Sequence, residues 1–222
     1  MELERRELLA LGLGATIMGR AHAIPAARTP DADGWSMHDA AEIGLEGRGW
    51  TDVASPFDRL PERARGTVRD RVWELSRQST GLFVSFVTDA TALRFEVGLT
   101  GAELAMPHMP ATGVSGVDLY ARDAGGDLAW VHCARPGGQD YVAGVDGLRA
   151  GRREYRLYLP LYNGVTSLRI GVPEGAAFVG VAPRAARPVV VYGTSIAHGA
   201  CASRPGLSFV NQLGRRLGTP MV

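Results

Sequence analysis

The stretch Leu93-Arg94-Phe95-Glu96-Val97 alternates strictly between apolar and charged side chains. Successive side chains of a β-strand point to opposite faces, so its apolar side chains share one face and its charged side chains share the other. Residues 81–88, just before it, are rich in apolar and aromatic side chains, as a strand packed in a core should be. Together these stretches predict a β-sheet with a buried face in this part of the chain.

Short strand-like segments continue through the middle of the chain. Further candidates are residues 117–120, 128–133, 154–159 and 167–172. Clusters of Gly, Pro, Asn and Asp separate them, at residues 123–126, 136–138, 163–164 and 173–175. This alternation predicts a mainly β fold, with a two-layer antiparallel β-sandwich of jelly-roll type over residues 35–182. The Arg- and Glu-rich segment 60–70 fits a surface helix or a loop equally well.

The pattern changes after a Pro-flanked connector at residues 182–188. The unbroken apolar run at residues 189–192 predicts a strand buried on both faces, as in a parallel sheet covered by helices. Gly193-Thr194-Ser195 then forms a turn, and a helix over residues 207–217 follows. That helix would carry one apolar stripe, made of Phe209, Val210, Leu213 and Leu217. Strand, turn and helix in this order predict that residues 187–222 begin an α/β/α domain.

The N-terminus has the pattern of an export signal. Arg5-Arg6 precedes an apolar stretch at residues 8–18, and Ala21 and Ala23 have the small-x-small spacing of a signal-peptidase site. The paired arginines resemble a twin-arginine signal, although Glu4 stands where Ser or Thr is usual. We therefore predict an export signal at residues 1–23, a linker at residues 24–34 and a periplasmic or extracellular protein. An ordinary amphipathic helix is the alternative.

The composition excludes a strongly charged protein. The chain has no Lys, and its 24 arginines against 23 acidic residues leave a net charge of +1. Such a balance does not attract polyanions, so a nucleic-acid partner is not expected. No apolar run reaches the ~20 residues of a membrane span. Cys133 and Cys201 fall in different predicted domains, so we expect two free thiols. The sequence leaves the oligomeric state open.

Ser195 is the best candidate for a reactive group. A hydroxyl at the carboxyl end of a buried parallel strand lies where such sheets place ligands. Backbone N–H groups of the following turn can face a developing oxyanion. A serine nucleophile also needs a base, usually a histidine held by a carboxylate. On spacing alone, a Gly-x-Ser after a strand fits a capping or turn serine equally well.

Two blocks of sequence resemble one enzyme family. Residues 190–196 and residues 199–206 resemble the first conserved block of SGNH (GDSL-type) hydrolases. Gly116-Val117-Asp118-Leu119-Tyr120 resembles the G-x-D-L-Y signature of a β-sandwich domain that precedes the catalytic domain in one SGNH subgroup. Residues 72–77 and residues 79–82 also resemble that domain. The family implies hydrolysis or transfer of small acyl groups, including acetyl groups on sugars, without a metal or an organic cofactor.

The resemblance also implies roles for single residues. Ser195 matches the family nucleophile, and its backbone N–H matches one oxyanion donor, while Thr194 replaces the Asp of the commoner G-D-S form. The family's other elements are a Gly donor, an Asn donor and an Asp-x-x-His pair, and none of them is found in these residues. We therefore expect the N-terminal portion of an SGNH esterase, inactive alone. A non-catalytic, carbohydrate-binding β-sandwich is the alternative.

Several other side chains have simpler expected roles. His198 lies three residues from Ser195, too close in the same turn to approach its hydroxyl from the correct direction, so it is not the expected base. Met106, His108 and Met109 are a poor ligand set for copper, and loop packing is the better interpretation. At least two tryptophans should lie in the core; the four are Trp35, Trp50, Trp73 and Trp130.

Overall fold

The computed structural model describes residues 23–24, 29–30 and 33–222 of the chain. The predicted export signal therefore lies outside the described residues except for its last position. The strands are β1 (Ala23–Ile24), β2 (Thr29–Pro30), β3 (Trp35–Asp39), β4 (Phe83–Thr88), β5 (Leu93–Leu99), β6 (Asp118–Arg122), β7 (Leu128–Cys133), β8 (Asp140–Val145), β9 (Arg153–Tyr158), β10 (Val165–Pro173) and β11 (Phe178–Val181). The α-helices are α1 (Ala40–Ile43), α2 (Asp70–Ser76), α3 (Ala111–Val114), α4 (Ser195–His198) and α5 (Phe209–Leu217). Among these residues, no helix is long and apolar enough to cross a membrane.

Two antiparallel sheets form the sandwich. One sheet has the order β1-β11-β4-β9-β6-β7, and the other has the order β2-β3-β10-β5-β8. The predicted two-layer sandwich is therefore confirmed, and all six predicted strands are present. Segment 60–70, left open by the sequence, contains a short 3₁₀ helix at Glu62–Ala64 and ends where α2 begins.

The core lies between the two sheets. Leu93, Phe95 and Val97 of β5 are buried there, as their alternation predicts. On the opposite face of the same strand, Glu96 forms an ion pair with Arg169, its register partner on β10. The period of two along β5 thus separates a core face from a charged outer face.

Three further strands were not predicted, and the predicted linker is partly structured. The sequences of β3, β8 and β11 are short or contain polar residues and glycine, so their own pattern does not indicate strands. Each of them nevertheless forms a ladder of backbone hydrogen bonds with a neighbouring strand. Within residues 24–34, Thr29–Pro30 pairs with β3, and Ile24 pairs with β11. Backbone pairing with an existing sheet therefore extends the sandwich into the segment expected to be a linker.

The C-terminal segment, residues 187–222, starts a parallel pairing. The Val189 N–H donates to the Pro220 carbonyl (2.9 Å), the Val191 N–H to the Val222 carbonyl (2.7 Å) and the Val222 N–H to the Val189 carbonyl (3.0 Å). Strand-like residues 189–191, helix α5 and residues 220–222 thus form a strand–helix–strand crossover. The sequence did not indicate this second extended segment, which is only three residues long.

The run at residues 189–192, whose pattern is typical of a strand buried on both faces, is largely exposed among the described residues. Val190 is 70% exposed and Tyr192 is 92% exposed. The only bridge of this run, within the described chain, joins Val189 to Met221. Burial of a parallel strand needs neighbours on its edges and helices over its faces, and residues 33–222 supply one short neighbour.

Helix α5 packs with a different face from the one predicted. Of the predicted apolar stripe, Val210 is buried, whereas Phe209, Leu213 and Leu217 are exposed. The buried face also contains Asn211 and Gly214. Gly214 lets Met221 approach closely, since a Cβ at position 214 would lie 2.7 Å from the Met221 Cγ. Close backbone approach therefore decides the orientation of α5 more than the apolar stripe does.

The expectation of at least two core tryptophans is also wrong. Trp50 and Trp130 are exposed, and Trp35 and Trp73 are only partly buried. The guanidinium groups of Arg65 and Arg77 lie 5.2 and 5.6 Å from the centre of the Trp73 ring. Tryptophan here contacts arginine at the surface, which keeps its large ring only half covered.

Candidate active site

Ser195 lies where the C-terminal segment turns into its first helix. It is the first residue of α4, it is exposed, and it lines a cavity of about 760 Å³ between the sandwich and the C-terminal segment. The first N–H groups of a helix have no partner within the helix, so the Ser195 N–H is free of an intrahelical bond. Ser195 therefore has the position predicted for it, at the carboxyl end of a segment paired in parallel.

Hydroxyl groups of the sandwich hold the turn that carries Ser195. The Tyr162 hydroxyl donates to the Ser195 carbonyl (3.1 Å), and the Thr80 hydroxyl donates to the His198 carbonyl (2.7 Å). Further along, the Thr112 hydroxyl donates to the Ser203 carbonyl (2.6 Å). The backbone on both sides of the nucleophile position is thus fixed by the sandwich. Single Thr and Tyr residues give no sequence signal for such a role.

His198 packs against the sandwich. Its Nδ1 lies 3.5 Å from the Nη2 of Arg59, and its ring lies 4.5 Å from the Tyr162 ring. Burial, together with the positive charge of Arg59, lowers the pKa of His198 to about 4, although the Leu161 backbone opposes this shift. His198 is therefore neutral at pH 7. These contacts hold His198 against the sandwich, and that it does not serve as the base stays a prediction.

The other side chains singled out in the sequence are not among the described residues that line the cavity; they are Met106, His108, Met109, Cys133 and Cys201. Met109 is buried with Val114 and Leu161, while His108 is exposed. Within the described ranges, no group of three His, Cys, Asp or Glu side chains is arranged to hold a metal ion. Cys133 and Cys201 are both free thiols.

The G-x-D-L-Y residues contact the segment that follows Ser195. Asp118 is completely buried and accepts hydrogen bonds from the Gly206 N–H (2.8 Å), from Arg204 Nη1 (3.0 Å) and from the Trp130 indole (3.0 Å). The Tyr120 hydroxyl also accepts from Arg204. We call these contacts of Asp118 and Tyr120 with Arg204 and Gly206 the clasp.

Close packing requires glycine at two positions: Gly206, in the clasp, and Gly116, the first residue of the G-x-D-L-Y motif. A Cβ at Gly206 would lie 2.3 Å from the ring of Tyr120, well inside van der Waals contact. A Cβ at Gly116 would lie 2.4 Å from the Ala134 carbonyl oxygen. Leu119, between the two clasp residues, points the other way and is fully buried in the sandwich core. Each named residue of G-x-D-L-Y therefore has a physical role.

Arginines and aromatic rings alternate across the boundary between the sandwich and the C-terminal segment. Each guanidinium lies over two rings: Arg204 over Trp130 (4.9 Å) and Tyr120 (5.5 Å), Arg215 over Tyr120 (4.3 Å) and Tyr158 (5.4 Å), and Arg156 over Phe83 (4.2 Å) and Tyr158 (5.9 Å). Arg204 and Arg215 come from the C-terminal segment, and the rings come from the sandwich. Cation–π contacts thus supplement the hydrogen bonds of the clasp.

Burial is the largest influence on the pKa of each ionisable group in the clasp. It raises the pKa of Asp118, while Arg204 and the hydrogen bonds from Gly206 and Trp130 oppose the rise. Burial and the nearby Asp118 carboxylate also raise the pKa of Tyr120. For Arg204, burial lowers the pKa, but Asp118 and the Tyr120 hydroxyl outweigh it, so the net shift is upward. The ion pair is therefore supported by several donors rather than by charge alone.

The cavity wall contains only part of a catalytic triad. Among the described residues that line the cavity, His198 is the only histidine, and none is an Asp or a Glu. A serine nucleophile needs a base and a carboxylate that orients it, and the described residues that line the cavity include one histidine and no carboxylate.

Comparisons with known proteins agree with both parts of the chain. Residues 35–178 match the family described as GxDLY, the N-terminus of SGNH-hydrolase-type esterases, and residues 186–222 match the GDSL-like lipase/acylhydrolase family. No curated protein matches the chain at a significant level.

Solved structures extend this likeness. A protein assigned as a GDSL-like lipase from Bacteroides ovatus ATCC 8483 is 30% identical with a TM-score of 0.79; the match covers 85% of this chain and 55% of that one. Two more distant likenesses concern the fold alone. The salicylyl-acyltransferase SsfX3 from a tetracycline biosynthetic pathway has 20% identity, a TM-score of 0.55 and coverage of 90% and 49%. A family two carbohydrate esterase from Cellvibrio japonicus has 12% identity, a TM-score of 0.50 and coverage of 84% and 51%.

The chain spans about half the length of these structures. The match to the GxDLY model, however, covers well over half of the 222 residues. It includes the clasp residues Asp118 and Tyr120, whose contacts reach into the segment that matches the second model. The chain belongs to the SGNH-hydrolase-type esterases with an N-terminal GxDLY domain.

Proposed function

We propose that Ser195 is the nucleophile of a serine esterase that hydrolyses small acyl esters, including acetyl esters on carbohydrates. The observation that carries the proposal is the position of Ser195, which is exposed on the wall of a large cavity at the end of a segment paired in parallel. In this proposal the 222 residues supply the nucleophile and one wall of the site. The Asp-x-x-His pair comes from a further part of the hydrolase domain.

The proposed reaction follows from the position of Ser195. With a histidine as base, the Ser195 Oγ attacks the ester carbonyl carbon, and the histidine takes the hydroxyl proton. The Ser195 N–H donates to the oxygen that becomes negative. The alcohol leaves with the proton, and water then releases the acid from the acyl-enzyme. Transfer of the acyl group to a second alcohol would use the same intermediate.

The first test uses the 222-residue chain. It should release nitrophenol from p-nitrophenyl acetate no faster than its Ser195→Ala variant, because loss of triad members costs about 10⁴–10⁶ in kcat. A clear excess over Ser195→Ala would support Ser195 as the nucleophile but contradict the part of the proposal that places the base outside these residues, with His198 then the foremost candidate for the base.

The second test adds the proposed missing part. The chain is fused to the part of the Bacteroides ovatus protein that follows the matched region, and the fusion is compared with its own Ser195→Ala variant. Release of acetate that depends on Ser195 is expected. If both fusions melt cooperatively and release acetate at equal rates, Ser195 is not the nucleophile.

The carbohydrate-binding alternative gains little support from Trp130. Trp130, the most exposed of the four, donates its indole N–H to Asp118 and has Arg204 stacked on its ring. One face of this ring is therefore already occupied by a guanidinium, and its indole N–H is already used. The substrate's carbohydrate part rests on the family resemblance.

Export is also a proposal. The signal at residues 1–23 would place the esterase in the periplasm or outside the cell, by a twin-arginine-type route. Replacement of Arg5 and Arg6 by Lys should leave the protein in the cytoplasmic fraction. Equal export of the two forms would exclude the twin-arginine route.

A further inference from the structure

The cavity beside Ser195 is lined by charge of one sign. Six of its described lining residues are arginines, and none is an Asp or a Glu; the arginines are Arg48, Arg59, Arg69, Arg71, Arg156 and Arg184. Since the chain has nearly equal numbers of basic and acidic residues, this imbalance is a local property of the cavity. A concave site lined by one sign of charge concentrates ligands of the opposite sign.

Arg156 is the most informative of these cations. It is only 7% exposed, and its single hydrogen bond to the described residues runs from Nη1 to the Tyr158 hydroxyl (3.3 Å). Its Nε is buried without a partner there. The guanidinium lies 4.2 Å over the Phe83 ring, and no carboxylate of the described chain forms an ion pair with it. A buried charge that lacks an opposite charge is costly unless a ligand supplies one.

Arg59 is a second cation of this kind. Its Nε donates to the Gln78 carbonyl (2.8 Å) and its Nη2 to the Leu75 carbonyl (2.5 Å), so neutral backbone groups hold it. The neighbouring Asp58 is already paired with Arg77. Burial lowers the pKa of Arg59 to about 10, which leaves it charged at pH 7. By contrast, Arg71 and Arg184 are paired with Glu74 and Glu46.

The remainder of the cavity suits the body of a small organic ester. Its volume of about 760 Å³ lies within the range of small-molecule sites. Leu75, Val72 and Tyr162 contribute apolar surface, and Ser195 lies on the same wall. One cavity therefore combines a candidate nucleophile, apolar surface and unpaired positive charge.

We propose that this cavity binds an ester that carries a carboxylate in addition to its ester group, with Arg156 and Arg59 as the groups that attract the carboxylate. This inference rests on the proposed esterase function for the reacting part of the ligand. The preference for an anion is a property of binding, so it can be measured without turnover. The carboxylate belongs either to the acyl side or to the alcohol side, and probes of matched size distinguish the two.

The experiment is titration calorimetry on the Ser195→Ala chain with three probes. Phenyl acetate is neutral, para-acetoxybenzoate carries its carboxylate on the alcohol side, and monophenyl succinate carries it on the acyl side. At low ionic strength, at least one anionic probe should bind about 10-fold or more tightly than phenyl acetate. The preference should shrink as salt is added. Equal affinity for all three probes would overturn the proposal.

Variants identify the group responsible. Arg156→Gln should remove most of the preference, and Arg156→Lys should retain part of it because the charge remains. Arg63→Gln is the matched control, since Arg63 is exposed, pairs with Asp52 and does not line the cavity. If Arg156→Gln does not melt cooperatively, Arg59→Gln takes its place. An unchanged preference in a folded Arg156→Gln or Arg59→Gln chain would exclude the proposed site.

The two proposals fail in different ways. If the fused enzyme hydrolyses esters through Ser195 but the probes bind equally, the carboxylate preference is wrong and the esterase function stands. If the preference is present but no activity depends on Ser195, the anion site stands and the esterase function is wrong.

Discussion

The sandwich and the C-terminal segment are stabilised by different interactions. In the sandwich, apolar side chains of both sheets, such as Phe95, Phe86 and Leu157, are fully buried against one another. In the C-terminal segment, the large apolar side chains Val190, Tyr192 and Ile196 are mostly exposed. The contacts of that segment with the sandwich are mostly polar or charged, chiefly the clasp and the arginines stacked on aromatic rings, together with Ala202, which packs against the Met109, Val114 and Leu161 cluster.

This difference indicates which part depends on the other. Burial of apolar area is the main favourable term in folding, so the sandwich can stabilise itself. A segment attached mainly by hydrogen bonds and cation–π contacts is held by the net free energy of those contacts, which is modest in water. We therefore expect the sandwich to hold the nucleophile turn in place, and the turn to contribute little to the sandwich.

The largest expected effect comes from the core of the sandwich. Phe95→Ala removes a fully buried ring between the sheets and should lower the free energy of unfolding by about 3–5 kcal/mol. Urea unfolding followed by circular dichroism measures the loss. Both regions should unfold together, because the C-terminal segment has no scaffold without the sandwich.

Phe209→Ala is the matched substitution in the other region. Phe209 belongs to the predicted apolar stripe of α5 but is exposed, so its loss should cost less than about 1 kcal/mol. Equal losses of unfolding free energy for Phe95→Ala and Phe209→Ala would show that the two regions share one core. That result would contradict the distinction between them.

The sequence predicts the sandwich because its signals are local. In β5, apolar and charged side chains alternate because the apolar face is the one that packs in the core. The turns between strands are marked by Gly, Pro, Asn and Asp. β8, at the edge of its sheet, lacks such a pattern because half of its residues face solvent. Strands that exist mainly through pairing with a neighbour are therefore the ones that the sequence did not predict.

The site is predicted only in part because its contacts are distant in the chain. The turn before α4 identifies Ser195, but the two partners of Asp118 in the C-terminal segment, Arg204 and Gly206, are 86 and 88 residues away. The resemblance to the family points to Asp118 as part of a signature without saying what it touches. Similarly, the apolar stripe of α5 shows that the helix is amphipathic but not which face the sandwich covers.

The second largest effect is expected at the clasp. Asp118→Ala leaves Arg204, the Gly206 N–H and the Trp130 indole without their acceptor, and loss of one partner of a buried ion pair costs about 3 kcal/mol or more. That loss should appear mainly as detachment of the C-terminal segment. Hydrogen exchange of the α5 amides measures the detachment, while the β5 amides report on the sandwich.

Asp52→Ala is the control for the clasp. Asp52 also pairs with an arginine, Arg63, but both side chains are more than half exposed, and such pairs contribute less than about 1 kcal/mol. If hydrogen exchange in α5 is faster for Asp118→Ala but not for Asp52→Ala, the clasp is what attaches the C-terminal segment to the sandwich. A uniform increase in α5 and β5 would instead make the clasp part of the sandwich's own stability.

After the core and the clasp, the third and smaller main effect is a pH dependence of the turn that carries Ser195, through His198. The ordinary pKa of histidine is 6.5, and burial and Arg59 lower that of His198 to about 4. Above pH 6.5 the side chain is neutral whether the turn is docked or detached, so it contributes no pH dependence. Between about pH 6.5 and pH 4 the detached form binds a proton that the docked form does not, so docking weakens as the pH falls.

The size of this effect follows from one pKa unit being worth about 1.4 kcal/mol, which gives a loss of about 2 kcal/mol of docking near pH 5. Exchange of the Ala200 amide, which donates to the Ser195 carbonyl, should accelerate relative to the β5 amides after correction for the intrinsic rates. His198→Gln should remove this dependence, whereas His108→Gln, at an exposed position, should leave it unchanged. If the wild-type turn exchanges equally at pH 7 and pH 5, then His198 is not held neutral by its contacts with Arg59 and Tyr162. The sandwich would then hold the turn that carries Ser195 less tightly than its hydrogen bonds to the turn indicate.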